Sequence, residues 1–386
     1  MNLSDYFDPS EALPNPMGLG KNASVYGRVQ ILGISSKISI DETSLVIFGV
    51  TETRNSNNPG AAQSADAVRS FLYGLSGSTV KQPLVDLGNL KQTGSPADTY
   101  MATRDVLEYL MGKGATCVVI GGTQEITWPL YLAVAQNVQQ PNVSIIDYTI
   151  DMGNNDGDFS SSCYIDRILA DGKDQLFSLN VLGYQGYLVD NHHIDTLSAR
   201  NFDLMRLGYV RGAMSEVEPL LRDSHIISLD MGCIKQSDSP GVVYPSPNGF
   251  YSEEICQLAR YSGVSSNAKV FGLFELNTLS DPHGLSSSLA AHIVWHFIDG
   301  YNARHKYPSY SSSAPSIKRF YIKSPIPNVE LVFLQNTITD AWWFELPQTA
   351  KTNGKSIVVA CSRADYEKAS KGDVPDRWMR IWNRIR

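Results

Sequence analysis

The sequence predicts an α/β fold with buried parallel strands, and three observations carry that expectation. Short runs rich in Val and Ile stand at 44–50 (SLVIFGV), 117–121 (CVVIG), 144–149 (SIIDYT), 179–184 (LNVLGY), 225–230 (HIISLD) and 270–276 (VFGLFEL). Runs this continuously apolar suit strands covered by helices on both faces. Between them lie stretches of helical pattern at 61–73, 97–112, 125–135, 216–222, 253–261 and 286–301, and strands alternating with helices make a parallel sheet. Finally, 386 residues of which 42% are apolar provide for a large core and for one large or two modest domains.

The composition shifts near Tyr307, where PSYSSSAPS reads as a linker. Beyond it, 319–323 (RFYIK), 330–335 (ELVFLQ), 342–346 (WWFEL) and 356–361 (SIVVAC) read as short antiparallel strands. Two helices follow, one opened by Ser362 with Asp365 three residues on, the other with Pro375 at its start. Trp342, Trp343, Trp378 and Trp382 of this stretch are read as packing residues, since large aromatics dominate burial. The expected organisation is an N-terminal segment over 1–40 packed on the core, a main domain over 41–307 and a C-terminal α+β extension over 308–386.

Composition excludes several classes. Lys and Arg total 32 against 39 Asp and Glu, a net charge of −7, so no basic field for nucleic acid or anionic lipid is expected. The N-terminal MNLSDYFDPSEALPNPMGLG lacks the basic and apolar regions of a signal peptide, no run approaches about 18 apolar residues, and a cytoplasmic location is expected. Five Cys at 117, 163, 233, 256 and 361 lack CxxC spacing and indicate neither a disulfide framework nor a thiolate zinc site. Gly18-Leu19-Gly20-Lys21 lacks the spacing of a phosphate loop. The stretch 151–158 (DMGNNDGD) is out of register for a calcium loop. Cys233 has no His within its motif to activate it and is read as an inert buried thiol.

In such a sheet ligands bind beyond the carboxyl ends of the strands. The residues there are Gly121-Gly122-Thr123-Gln124, Asp147-Tyr148-Thr149-Ile150-Asp151 and Ser228-Leu229-Asp230-Met231-Gly232. Asp147, Asp151 and Asp230 thus form a candidate acidic cluster. The seven His do not join it. His192 and His193 read as loop surface, His225 begins a strand at the opposite end, His292 and His296 share a helix face without a Glu between them, and His283 and His305 stand alone near turns.

These pieces together resemble the ureohydrolase superfamily of arginase, agmatinase and formimidoylglutamase, from about Leu45 to about Tyr301. Further matching pieces are Asn58-Pro59-Gly60-Ala61 with Ala67-Val68-Arg69, Asp86-Leu87-Gly88-Asn89, Ser237-Asp238-Ser239-Pro240-Gly241 with Pro247-Asn248-Gly249-Phe250, and Glu275-Leu276-Asn277. Pro375–Trp378 (PDRW) resembles the tail of a divergent bacterial formimidoylglutamase-like group. The resemblance implies a three-layer α/β/α arginase-like fold with a mainly parallel, roughly eight-stranded sheet. It also implies an activity, hydrolysis of an amidine carbon by hydroxide bridging two manganese ions. Of the six ligand positions implied, Gln124, Thr149 and Gly232 stand where His, His and Asp belong, leaving Asp147, Asp151 and Asp230. The family's proton-transfer His is unmatched in 158–166 (DFSSSCYID). Glu275 is implied to hold a substrate's amidinium by a charge-assisted hydrogen bond.

The expected function is therefore a ureohydrolase-fold pseudoenzyme that has lost the binuclear manganese site and binds a small amidine or amino-acid ligand or a protein partner. The alternatives are an active formimidoylglutamase- or arginase-like amidine hydrolase with a rebuilt site, and a structural subunit of an assembly. No cofactor is expected under the first reading, and at most one divalent cation (Mn, Mg or Ca) at the three carboxylates. The family's habit implies a homo-oligomer.

Overall fold

The computed structural model describes residues 1–14, 18–35, 38–153, 159–173, 175–304, 315–349 and 356–386. His305, residues 308–314 of the expected linker and most of the 151–158 stretch lie outside the described residues. The main sheet contains β1 (Phe7–Asp8), β2 (Val29–Ile31), β3 (Leu45–Gly49), β4 (Leu84–Leu90), β5 (Thr116–Ile120), β6 (Asn142–Ile146), β7 (Ser178–Tyr184), β8 (Asp203–Arg206), β9 (Ile226–Asp230) and β10 (Val270–Phe274). Eight of them form a wholly parallel body in the order β4-β3-β5-β10-β9-β6-β7-β8. The two short strands widen it at β4, β2 parallel and β1 antiparallel.

β3, β5, β9 and β10 are buried along their whole length. Alternate residues feed two separate cores, Ile47, Val118 and Phe271 on one face and Val46, Val119 and Val270 on the other. This is the three-layer arrangement: a helix layer must cover each face, because a strand apolar on both sides has no wet face to offer. Among the described residues no helix is long and apolar enough to cross a membrane.

Three features departed from the sequence reading. The segment 1–40 supplies β1 and β2 and so joins the sheet as well as packing on it; strands of two and three residues carry no periodicity to read. β4 (LVDLGNL) and β8 are further strands, β4 hidden by its Asp and Gly. Asp86 is tolerated there because Arg69 of helix Ser64–Leu72 meets it in a bidentate pair at 2.9 and 3.0 Å, both side chains fully buried. Arg69 also donates to Asn89 and to the Gly88 carbonyl, and the Tyr73 hydroxyl donates to Asp86 at 3.0 Å. Lastly, His192 and His193 lie in the first turn of helix Asn191–Ala199 instead of a loop, capped by the Asp190 side chain.

The C-terminal stretch forms an antiparallel sheet of β11 (Ile317–Lys323), β12 (Glu330–Asn336), β13 (Trp342–Leu346) and β14 (Ile357–Cys361), followed by helices Arg363–Ser370 and Asp376–Ile385. The Ser362 and Asp365 capping box forms as expected. Trp342 and Trp378 are buried in the core of this unit and Trp382 stacks on Trp378 at 5.3 Å. Polar clamps hold the unit to the main sheet. Asp223 accepts from the Ala360 N–H at 2.8 Å and from Arg377 at 3.1 Å, and Arg384 donates to the Phe177 carbonyl at 2.6 Å. The Arg222 guanidinium lies over the Trp343 ring, 4.7 Å from its centre.

Replacing Asp86 with Ala removes the fully buried partner of the Arg69 guanidinium and leaves only the half-exposed Asp66, 3.0 Å from Nη1, to balance its charge, a loss of about 3 kcal/mol. Denaturant unfolding of Asp86→Ala against the parent chain measures it.

Candidate functional site

The strand order brings four sequence-distant positions together, since β5, β10, β9 and β6 are neighbours. Gln124 follows β5, Glu275 follows β10, Asp230 ends β9 and Asp147 follows β6. After β5 the chain turns through Gly121 and Gly122, at φ +89° and +73°. A Cβ on Gly121 would meet the Ser64 hydroxyl at 2.6 Å, so only glycine serves there. This turn aims the Gln124 side chain back across the strand ends.

The Gln124 amide is then the centre of the site. Its orientation follows from the hydrogen-bond network: with its oxygen accepting from the Tyr164 hydroxyl at 3.2 Å, its nitrogen lies 3.1 Å from Asp147, 3.2 Å from Asp230 and 3.3 Å from Asp151. The sequence-predicted carboxylates do converge, but on an uncharged amide. One NH2 group carries two donors for three carboxylates. The Asp147 and Asp151 carboxyls are also hydrogen-bonded to each other. Burial, chiefly, and the neighbouring acids push Asp147, Asp151 and Asp230 well above the carboxylate range, while the bond between Asp147 and Asp151 raises the former and lowers the latter. A proton shared between Asp147 and Asp151 supplies the third donor.

The remaining positions are fixed around this cluster. Gly232 donates its N–H to Asp230. The Tyr148 ring lies beside it, 2.8 Å from where a Cβ would stand. Thr149 donates its N–H to Asp147 at 3.3 Å and lines the cleft above. Glu275 takes φ +65°, a strained conformation for a non-glycine residue. One of its oxygens accepts from the Gln124 N–H at 2.9 Å and the other from Asn58 at 2.8 Å. Burial raises Glu275, and those two bonds oppose it. Above the cluster opens a cleft of about 500 Å³, with Asp151, Asp230 and Glu275 in its floor and Arg54, Asn58 and Ser160–Ser162 in its walls.

Sequence reasoning missed Tyr148, Tyr164 and the buried Glu125. Glu125 is held by Thr123 at 2.8 Å and raised to about 8 by burial. Tyr148 could have been found as the residue between Asp147 and Thr149; the other two carried no signal. Cys233 is buried and its thiol is pushed up by burial, as an inert thiol should be. All five Cys are buried. His225 accepts from the Asn142 N–H at 3.1 Å, at the other end of the sheet.

Residues 43–299 match the family profile described as Arginase family. The chain belongs to the arginase family. It is 25% identical over 260 residues to the formimidoylglutamase of Lysinibacillus sphaericus, covering 63% of this chain and 79% of that protein. In structure it is similar to Bacillus subtilis formimidoylglutamase, with a TM-score of 0.64, 17% identity, and coverage of 75% and 94% of the two chains. It is also similar to a manganese-bound Trypanosoma cruzi formiminoglutamase, with a TM-score of 0.63, 20% identity, and coverage of 69% and 97%. These likenesses run at identities that speak to fold alone.

In this arginase-family chain the donor set does not fit a two-manganese centre. An amide nitrogen stands among the three carboxylates, a Cβ at 232 would meet the Tyr148 ring at 2.8 Å, and the cluster offers no imidazole of the kind that suits manganese among the described residues. Among the described residues no group of three or more His, Cys, Asp or Glu is arranged to hold an ion.

The protonated cluster has a pH consequence. Groups whose folded pKa is raised bind more protons folded than unfolded, so their contribution is full below about pH 4 and is lost as pH rises. Asp147→Asn keeps the acceptor for the Tyr148 and Thr149 N–H groups and donates permanently to Asp151. The two Gln124 donors then meet two carboxylates. This variant should melt about 2 °C or more higher than the parent at pH 8 and nearly equal to it at pH 4, as thermal unfolding at the two pH values measures.

Proposed function

We propose that this arginase-family chain has lost the two-manganese centre and acts by binding a small amidine- or amino-acid-like ligand in the strand-end cleft. The observation that carries the reading is the Gln124 amide nitrogen lying 3.1–3.3 Å from Asp147, Asp151 and Asp230. A neutral donor supplies there the hydrogen bonds that hold the carboxylates together, so a cation is not required for the cluster to fold. The amide competes with metal entry, and a shared proton further lowers the charge available to a cation.

Glu275 is the anchor in this proposal. Its backbone strain and two fixed hydrogen bonds hold the carboxylate at the cleft floor, ready for a donor-rich ligand group. The Asn58 side-chain oxygen, buried beside it, has no hydrogen-bond partner among the described residues and offers one more acceptor. The names of the relatives, formimidoylglutamases, favour an amidine-bearing amino acid as the first ligand to try.

Metal analysis of the purified chain should give well under one manganese per chain, with no manganese-dependent rise in melting temperature. No formamide should be released from formimidoylglutamate. A bound ligand at 100 times its Kd should stabilise the chain by about 2.7 kcal/mol, and Glu275→Gln should abolish that gain. Two manganese ions per chain with formamide release would instead establish an active hydrolase with a rebuilt site. The converse variant combines Gln124→His, Thr149→His and Gly232→Asp with Tyr148→Ala, which clears the ring from the new aspartate. It should acquire a manganese-dependent thermal shift that the parent lacks.

A further inference from the structure

A second cleft, of about 500 Å³, lies where the C-terminal helices meet the far edge of the main sheet. Its volume is in the range of small-molecule sites. Arg206, Lys368, Arg377 and Arg380 line it against only Asp365 and Asp376, a local excess of positive charge on a chain of net charge −7. Most of the carboxylates at hand are committed. Asp376 pairs with Lys368 at 3.2 Å, and Asp365 is engaged in the helix cap, accepting from the Ser362 N–H at 3.0 Å. Behind the wall, buried Asp203 takes Arg380 at 2.8 Å and Asp223 takes Arg377 at 3.1 Å.

Lys368, Arg377 and Arg380 are the cations of these pairs, and Arg206 stands outside them. Among the described residues Arg206 has no carboxylate partner: its Nε donates to the Tyr184 hydroxyl at 3.3 Å and its guanidinium lies 5.9 Å from that ring's centre. Nε and Nη1 of Arg377 are buried without a hydrogen-bond partner among the described residues. The neighbouring Arg384 is pulled down to about 10 by burial, with Asp203 opposing the shift and the charges of Arg377 and Arg380 adding to it. Tyr184, Tyr209 and Met205 give the same cleft an apolar wall.

We propose that this junction cleft binds a small oxyanion-bearing molecule, its phosphate or carboxylate group held by the guanidinium groups of Arg206 and Arg377 and by Lys368, and its body lying against Tyr184 and Tyr209. Guanidinium forks match the geometry of both oxyanions. Since the cleft takes one wall from the arginase-fold sheet and the other from the C-terminal helices, an occupant also clamps the two together. The site is independent of the strand-end cluster and does not rest on the function proposed for it.

The test is the melting temperature of the full chain in 10 mM inorganic phosphate, malonate or sodium chloride at equal ionic strength. Phosphate or malonate should raise it at least 2 °C above chloride, and whichever does so identifies the oxyanion. Arg206→Ala combined with Lys368→Ala changes side chains on the surface and should keep the circular dichroism spectrum of the parent. This variant should bind the effective anion at least tenfold more weakly by titration calorimetry. Equal melting temperatures in all three salts, or a shift that survives the double substitution, would overturn the proposal.

Discussion

Carboxyl groups at the ends of parallel strands repel one another in a dry site unless something between them supplies donors or positive charge. In this chain the something is one amide. Gln124 reaches across the ends of β5, β10, β9 and β6 and gives two N–H donors to Asp147, Asp151 and Asp230, and a proton shared by Asp147 and Asp151 completes the set. The backbone N–H of the same residue holds Glu275. The rest of the site is arranged around that solution. Tyr164 satisfies the amide oxygen, Tyr148 fills the space left at Gly232, and the acid groups stay neutral enough to be buried. The three aspartates would otherwise be among the most costly residues in the molecule.

The same logic of paired charge governs the other buried acids. Asp86 survives in the middle of β4 because Arg69 meets it with two parallel hydrogen bonds. Asp203 and Asp223 survive under the C-terminal unit because Arg380 and Arg377 reach down from its last helix. That unit is therefore fastened by ion pairs more than by a shared apolar core, and its tryptophans pack chiefly within it. At this junction the Arg206 guanidinium stands outside those pairs, which is why its cleft suits an anion when the molecule as a whole is acidic.

Much of the architecture was legible in the chain. Runs such as SLVIFGV and VFGLFEL announce strands with no wet face, and a sheet apolar on both sides must lie between two helix layers. Ser362 with Asp365 announces a helix start because a hydroxyl and a carboxylate there satisfy orphan N–H groups. Asp147, Asp151, Asp230 and Glu275 could be assigned to one end of the sheet because parallel strands all finish on the same side. Less legible were β1 and β2, whose two or three residues take their conformation from β4, and β4 itself, whose buried Asp86 looks wrong until Arg69 is in place.

The sequence by itself determined which residue types stand beyond the strand ends, a glutamine at 124, a threonine at 149 and a glycine at 232 beside the aspartates 147, 151 and 230. Only the tertiary structure decided which of them meet. Gln124 lies more than 100 positions from Asp230, and nothing local ties its amide to that carboxylate. The contact exists because crossover connections set β5 and β9 on either side of β10, and because two glycines in left-handed conformations turn the chain back over the strand ends. Hydrogen-bond geometry is a property of where side chains meet, and for this site the meeting is set by strand order.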